Sequence, residues 1–288
     1  MHLALELVAN GILLGGLYAL IACGLNLIFG VMRVINFAHG EFVALGALLA
    51  FSLVVGFQLP YWLAILVVPM IAGIAGFGLQ ALLLHRIVGG PMINSLLMTY
   101  ALSIVLVNIG ILIWGGGFKG LPTVGGGSVH VLGLDLSESR LLAFAIAMAA
   151  SVGVYLFLKL TMFGKAVRAV SEEPEVATVC AIPATLVRNV TFAVGAAMAG
   201  LGGVLIAPIF AVDPQMGARF IIKAFAVIVI GGLGSYAGAA LTAIALGVIE
   251  VVSGYHLGQV AGTAMLYLLM ILFLIFRPSG LFAVKVRA

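Results

Sequence analysis

The sequence predicts an all-α polytopic membrane protein with about eight to ten transmembrane helices. Three observations carry this. Hydrophobic residues make up 64% of the 288-residue chain and charged residues only 8%, whereas a soluble domain carries about 25% charged residues. The mean hydropathy is +1.33. Apolar runs of about 20 residues or more, enough helix to cross roughly 30 Å of hydrocarbon, recur along the whole length with short interruptions. A membrane β-barrel would instead show weak alternating segments of about 10 residues. A single domain, residues 1–288, is expected, because the longest stretches between spans reach only about 20 to 25 residues.

The first run extends from Leu5 to about Phe29. It has no basic leader and passes directly into further apolar sequence, so it reads as an uncleaved span. Gly11, Gly15 and Ala19 recur at every fourth position, the small-residue stripe of closely packed membrane helices. Residues 31–42, VMRVINFAHGEF, then bring Arg33, Asn36, His39 and Glu41 together before a second run ending near Val55. Pro60 restarts the chain, and a span from Tyr61 to about Leu84 ends at His85 and Arg86. Gly89-Gly90-Pro91 is turn chemistry, with the proline able to open the next span, which ends near Trp114. Residues 115–139 form a glycine-rich loop, containing Gly125-Gly126-Gly127 and a short extended patch from Val129 to Leu136. Later spans are expected from Leu141 to Met162, Leu186 to Phe210, Phe220 to Gly232, Ala237 to Val252 and Gly258 to Phe276. The pair either side of Gly232 is short and glycine-broken, which fits a re-entrant pair or two tilted helices.

One stretch breaks this pattern. Lys159 to Pro183 reads KLTMFGKAVRAVSEEPEVATVCAIP and concentrates three basic and three acidic side chains in a chain with only 13 Lys and Arg and nine Asp and Glu. Such a density does not sit in hydrocarbon. Gly164 can break the preceding span, and Lys165 to Val170 forms a basic amphipathic turn. Ser171 reads as the N-cap of a second short helix, with Glu172 and Glu173 in its first turn, Pro174 tolerated there and Pro183 as its stop. The stretch is either a plain solvated connector or a docking knuckle.

Charge orients the spans. About nine alternating spans place Arg33, Arg86, Lys159, Lys165, Arg168, Arg188, Arg277, Lys285 and Arg287 on one side, against Lys119, Arg140, Arg219 and Lys223 on the other. The richer side is the cytoplasmic one, so the N-terminus is expected outside and the C-terminus inside. The net charge of +4 follows from this bias and gives no reason to expect nucleic acid.

Catalytic signatures fail in turn. Gly164-Lys165 lacks the remainder of a phosphate-binding loop, and His39-Gly40-Glu41 has the wrong order for a zinc protease helix. The two cysteines, Cys23 and Cys180, give neither metal spacing nor a disulfide framework. Gly232 to Ala237 loosely fits a dinucleotide glycine pattern, but no βαβ unit surrounds it, and a tight helix-to-helix turn is the simpler reading. Transport remains. A secondary transporter would use His39, Glu41 or Glu250 as ion or proton sites, with Asn26 and Asn108 as polar neighbours. Arg33, Asn36 and His39 lie at steps of three and would share one face of a helix, as an interfacial anchor, a gate or a proton relay. A motor-driven permease would instead use the polar stretch as the helix its ATPase pushes.

The chain resembles the LivH-type permease subunits of the branched-chain amino-acid ABC transporter family over essentially its whole length. The resemblance rests on Gly16 to Leu20, Gly24 to Leu27 and above all Gly30 to Phe42. It rests further on Gly164, Arg168-Ala169, the region Pro174 to Ile182, Gly231 to Ser235 with Gly238, and Arg277 to Phe282. It implies a coupling loop over residues 163–184, seated in a groove of an ATPase through Gly164, Lys165, Arg168, Ala169, Glu173, Pro174, Glu175, Ala177 and Ile182. It implies a translocation path or gate drawing on Asn26, Arg33, Asn36, Phe37, His39 and Glu41. Partners would be a second, LivM-like permease, two cytoplasmic ATPases that carry ATP and magnesium, and a periplasmic substrate-binding protein, all around a chain embedded in the lipid of a bacterial inner membrane. The chain itself would hold no metal or cofactor. Importers of urea, short amides or other amino acids are similar as well. Ala181 departs from the family, which usually has glycine before Ile182, and Cys180 is an uncommon neighbour there.

Overall fold

The computed structural model describes residues 2–123, 125, 127–131, 133–277 and 279–282. Gly126, Pro278, Lys285 and Arg287, which entered the sequence reading, lie outside the described residues. In chain order the elements are α1 (His2–Met32), α2 (His39–Phe51), α3 (Tyr61–Leu82), α4 (Met92–Trp114), β1 (Ser128–Val131), β2 (Leu134–Ser137), α5 (Glu138–Leu160), α6 (Met162–Glu172), α7 (Pro174–Val179), α8 (Ala184–Ile206), α9 (Met216–Gly231), α10 (Tyr236–Leu257) and α11 (Gln259–Phe276). A π-helical turn, Ser52–Gly56, prolongs α2. Among the described residues eight helices are long and apolar enough to cross a membrane: α1, α2 with its π turn, α3, α4, α5, α8, α10 and α11. The ninth expected span, α9, has 16 residues, short of the roughly 20 a full crossing takes.

Burial separates the helices into two kinds. In the most apolar windows of α1 and α8, 83% and 72% of residues are buried within the chain, against 11% for α4 and α11. The first pair is therefore the core, and the second turns its leucines and isoleucines outward. Close approach of α1 and α10 explains the glycines. A methyl on Gly247 would lie 2.5 Å from the Gly15 nitrogen and 2.5 Å from the Gly11 carbonyl oxygen, so the two backbones pack almost in contact. The stripe read at Gly11 and Gly15 is this interface. The same contact corrects the reading of Ala237 to Val252 as a short, broken span. α10 is an unbroken helix of 22 residues, whose glycines are a packing surface and not breaks.

The expected extended patch is an antiparallel hairpin, β1 with β2, pairing Ser128 with Ser137 and Val129 with Leu136. A second expectation fails. Arg33, Asn36 and His39 do not share a helical face, because α1 ends at Met32 and α2 begins only at His39. Arg33 ends the helix with a left-handed φ of 53°. The chain then doubles back, so that His39 Nε2 stands 3.0 Å from the Ile21 carbonyl oxygen, three turns up α1. Residues 33–38 therefore fold the chain back along α1.

Candidate functional site

The polar stretch folds into two short helices meeting at an angle. α5 ends at Thr161, whose extended ψ of 160° turns the chain and whose hydroxyl caps α6 by accepting the Gly164 N–H at 3.1 Å. The break is thus at Thr161. Gly164 allows the corner to close, because any Cβ there would overlap the Leu158 carbonyl group. Ser171 is not the cap of the second helix; α6 runs through it to Glu172, Glu173 precedes α7 and Pro174 takes its first position. The Ser171 hydroxyl instead donates to the Gly30 carbonyl at 2.5 Å, tying α6 to the end of α1.

This knuckle has an inner and an outer side. Gly164, Val167, Val170 and Ala177 are buried, and Ala169 and Ile182 pack against the same core. Lys165, Arg168, Glu173 and Glu175 are exposed, with Arg168 donating to the Leu158 carbonyl at 2.7 Å. Of the residues the resemblance assigned to ATPase contact, Gly164 and Ala177 therefore serve the knuckle's own packing. Sequence reasoning gave Val176 and Val179 no role beyond continuing the helix. They are 58% and 88% exposed, an apolar tip on an otherwise charged projection. Their spacing of three on a helix closed at Pro183 was the available signal.

α7 closes in a Schellman turn. The Ile182 N–H donates to Ala177 O and the Ala181 N–H to Thr178 O, both at 3.0 Å. Ala181 takes φ +58°, the conformation glycine adopts most easily. The bend is thus the one a glycine would make.

Behind the knuckle, Asn26 grips the α9–α10 turn. Its Nδ2 donates to the Ser235 carbonyl at 2.8 Å and its Oδ1 accepts the Gly234 N–H at 2.7 Å. The C-terminal tail adds two more bonds, from the Leu281 and Phe282 N–H groups to the Ile230 and Gly231 carbonyls, at 2.8 and 3.1 Å. These satisfy acceptors that a helix end leaves open. Asn26 is accordingly a clamp on backbone, and Leu281 and Phe282 cap α9.

The remaining path candidates scatter. Asn36 is buried, and among the described residues neither of its side-chain polar atoms has a partner. Phe37 donates its N–H to Thr99 Oγ1 at 3.2 Å and packs its ring against Tyr100 and Phe225. Glu41 accepts from Ser103 of α4 at 2.9 Å, while His39 faces α1, so the two turn to different helices. Arg33 is exposed, and Asn108 is exposed and bonded to its own helix.

A second polar cluster lies midway along α1 and α9. Lys223 of α9 donates to Glu250 of α10 at 2.6 Å and to Tyr18 of α1 at 2.8 Å. Tyr18 in turn donates to Glu250 at 2.8 Å, and Thr263 of α11 donates to it at 3.1 Å. Four helices thus converge on one buried carboxylate. Sequence reasoning considered Glu250 alone and counted Lys223 with the outer loop charges. A lysine inside the apolar run from Phe220 was the missed signal. The cluster borders a cavity of about 700 Å³.

A bundle of eight apolar helices long enough to cross a membrane, among the described residues, defines an all-α polytopic membrane protein. The chain belongs to the family described as branched-chain amino acid transport system / permease component, whose model matches residues 7–275. It is similar to the high-affinity branched-chain amino acid transport system permease protein BraD of Pseudomonas aeruginosa, at 30% identity covering 96% of this chain and 95% of that protein. It is likewise similar to the permease protein LivH of Escherichia coli, at 28% identity covering 96% and 94%. Among solved structures it resembles a chain of PsaBC from Streptococcus pneumoniae in complex with Fab, with a TM-score of 0.50 and 13% identity over 95% and 93% of the two chains, a likeness of fold.

Proposed function

We propose that this chain is the membrane-spanning subunit of an ATP-driven importer for branched-chain amino acids, and that α6 and α7 are where its ATPase engages. The observation that carries the coupling role is the apolar tip, Val176 and Val179, held on a charged projection that is itself bonded to the core of the bundle. The two valines, 58% and 88% exposed and one turn apart, give the projection an apolar side. An ATPase groove would cover it. The branched-chain amino acids named for the relatives support the substrate class. The α6–α7 end is cytoplasmic on the positive-inside argument; residues 207–231, including α9, bring the chain back to that end as a ninth passage, which puts the N-terminus outside and the C-terminus inside. A second permease would complete the path, a binding protein would deliver solute at the opposite end, and ATP and magnesium would sit on the ATPases. Residues 1–288 then act as one permease domain, with 163–184 as its coupling loop and 115–139 as its periplasmic loop.

The test is reconstitution of the complete importer in proteoliposomes. Leucine uptake should require ATP and survive a protonophore, and Arg168→Glu should lower uptake at least tenfold while membrane insertion is unchanged. Uptake by this chain alone, driven by a proton gradient and indifferent to ATP, would refute the assignment in favour of a secondary transporter built on His39 and Glu41.

A further inference from the structure

The cavity of about 700 Å³ beside the Lys223–Glu250 pair has a floor and walls of different chemistry. Its floor is the ion pair, with side chains only 15% and 9% exposed, and that remaining exposure faces the cavity they line. Its walls include Leu14, Leu17, Ile209, Phe210 and Phe220. At its border stand Arg140, bonded to Asn10 at 2.8 Å, and Arg219, paired with Asp213. We propose that this cavity is a holding site for an α-amino-acid zwitterion with an aliphatic side chain, Lys223 taking the carboxylate and Glu250 the ammonium. The proposal rests on the importer reading above and gives its substrate a place in the chain.

Charge balance favours a zwitterion at this pair. An ion pair buried among helices is poor mortar, since apolar side chains of similar shape hold such an interface as well or better. Ionisable groups at membrane depth mark a solute or ion route more often than they mark packing. A zwitterion entering between Lys223 and Glu250 exchanges one ion pair for two, and no charge is left without a counter-charge. A neutral solute such as urea or a short amide would part the two groups and replace neither. A simple cation or anion would satisfy one and strand the other. Removal of one partner from a buried pair is strongly unfavourable, so the same two residues that receive a zwitterion reject the other three classes. Tyr18 and Thr263 hold the Glu250 carboxylate while the exchange takes place, and the aliphatic walls provide apolar contact for a leucine, isoleucine or valine side chain. The cavity lies at the opposite end from α6 and α7, the end to which a binding protein would bring solute.

The experiment uses the complete importer in proteoliposomes. Replacement of both charges, Lys223→Met with Glu250→Gln, removes the pair without stranding either group. Leucine uptake should fall at least tenfold while co-assembly with the partner subunits, read by size-exclusion chromatography, stays at the wild-type level. Uptake within twofold of wild type would overturn the site. Should the double variant fail to assemble, a second measurement decides. Ile209→Cys at the cavity wall, in a Cys180→Ser background that leaves only buried Cys23, is labelled with a membrane-impermeant maleimide. Leucine supplied with its binding protein should slow labelling at least threefold, whereas urea should leave it unchanged. An unchanged rate with leucine, in vesicles whose wild-type importer takes up leucine, overturns the site alone. A wild-type importer that takes up urea and no amino acid overturns the importer reading, and the zwitterion with it.

Discussion

Replacing Ala181 by glycine should stabilise the end of α7. Ala181 occupies the left-handed position of the Schellman turn at φ +58°, where its Cβ is in conflict with the following carbonyl. That conformation costs an L-residue about 1–2 kcal/mol. Glycine removes the cost but frees the unfolded chain, which returns roughly 0.4–1 kcal/mol. The net gain is about 0.5–1 kcal/mol, equivalent to a two- to fivefold shift in the local opening equilibrium. Nothing else in the turn changes, because Ala181 is exposed and the bonds from its own N–H and that of Ile182 are backbone bonds, at 3.0 Å each. Hydrogen exchange followed by mass spectrometry on peptides spanning residues 174–184, in nanodiscs, reads the shift directly. Protection at Ala181→Gly should rise by that two- to fivefold factor, with α10 peptides unchanged as an internal control. Ala181→Val should move protection the other way, since a β-branched residue tolerates positive φ worst. Equal or faster exchange in the glycine variant would mean that the turn is not formed in solution, and the rigid projection argued for α7 would go with it.

Other changes test neighbouring steps. Val179→Asp alters a side chain 88% exposed, so thermal stability should stay within about 0.5 kcal/mol; recovery of the ATPase by affinity purification should nevertheless drop at least tenfold, and undiminished recovery would remove the tip from the interface. Asn26→Ala leaves the Gly234 N–H without its acceptor, a loss of about 1–3 kcal/mol that should appear as a lower melting temperature in detergent while insertion is normal. Gly247→Leu forces a side chain into the α1 backbone and should abolish folded protein, judged by a monodisperse elution peak, whereas Gly78→Leu, where a Cβ meets nothing within 4 Å, should not.

Composition and hydropathy were enough to read the class and most of the spans, because crossing hydrocarbon imposes a length and a polarity that no packing detail can override. The interior was less legible for a physical reason. In water a glycine within an apolar run usually marks a break, but inside a bilayer it marks close approach, and α10 was misjudged on that difference. The shared helical face expected of Arg33, Asn36 and His39 failed for another. Arg33, Asn36 and His39 have helical spacing only if the chain between them is helical, and one left-handed residue at Arg33 sends it back along α1 instead. Asn26 was legible as a buried polar group and illegible as a backbone clamp, since its partners lie more than 200 residues away.

The same distance accounts for the Lys223–Glu250 cluster. Its four residues come from α1, α9, α10 and α11, and only tertiary packing brings them to one point. Nearer α6, Ser171 joins α6 to α1, and Asn26 joins α1 to the α9–α10 turn. α1, α9 and α10 are therefore fastened together at two levels, by side-chain-to-backbone bonds near α6 and by charge midway along α1 and α9. A push on α6 in this arrangement reaches the ion pair through helices that cannot slide independently without breaking one set of bonds or the other. That mechanical continuity gives the docking helix and the cavity a physical reason to belong to one mechanism.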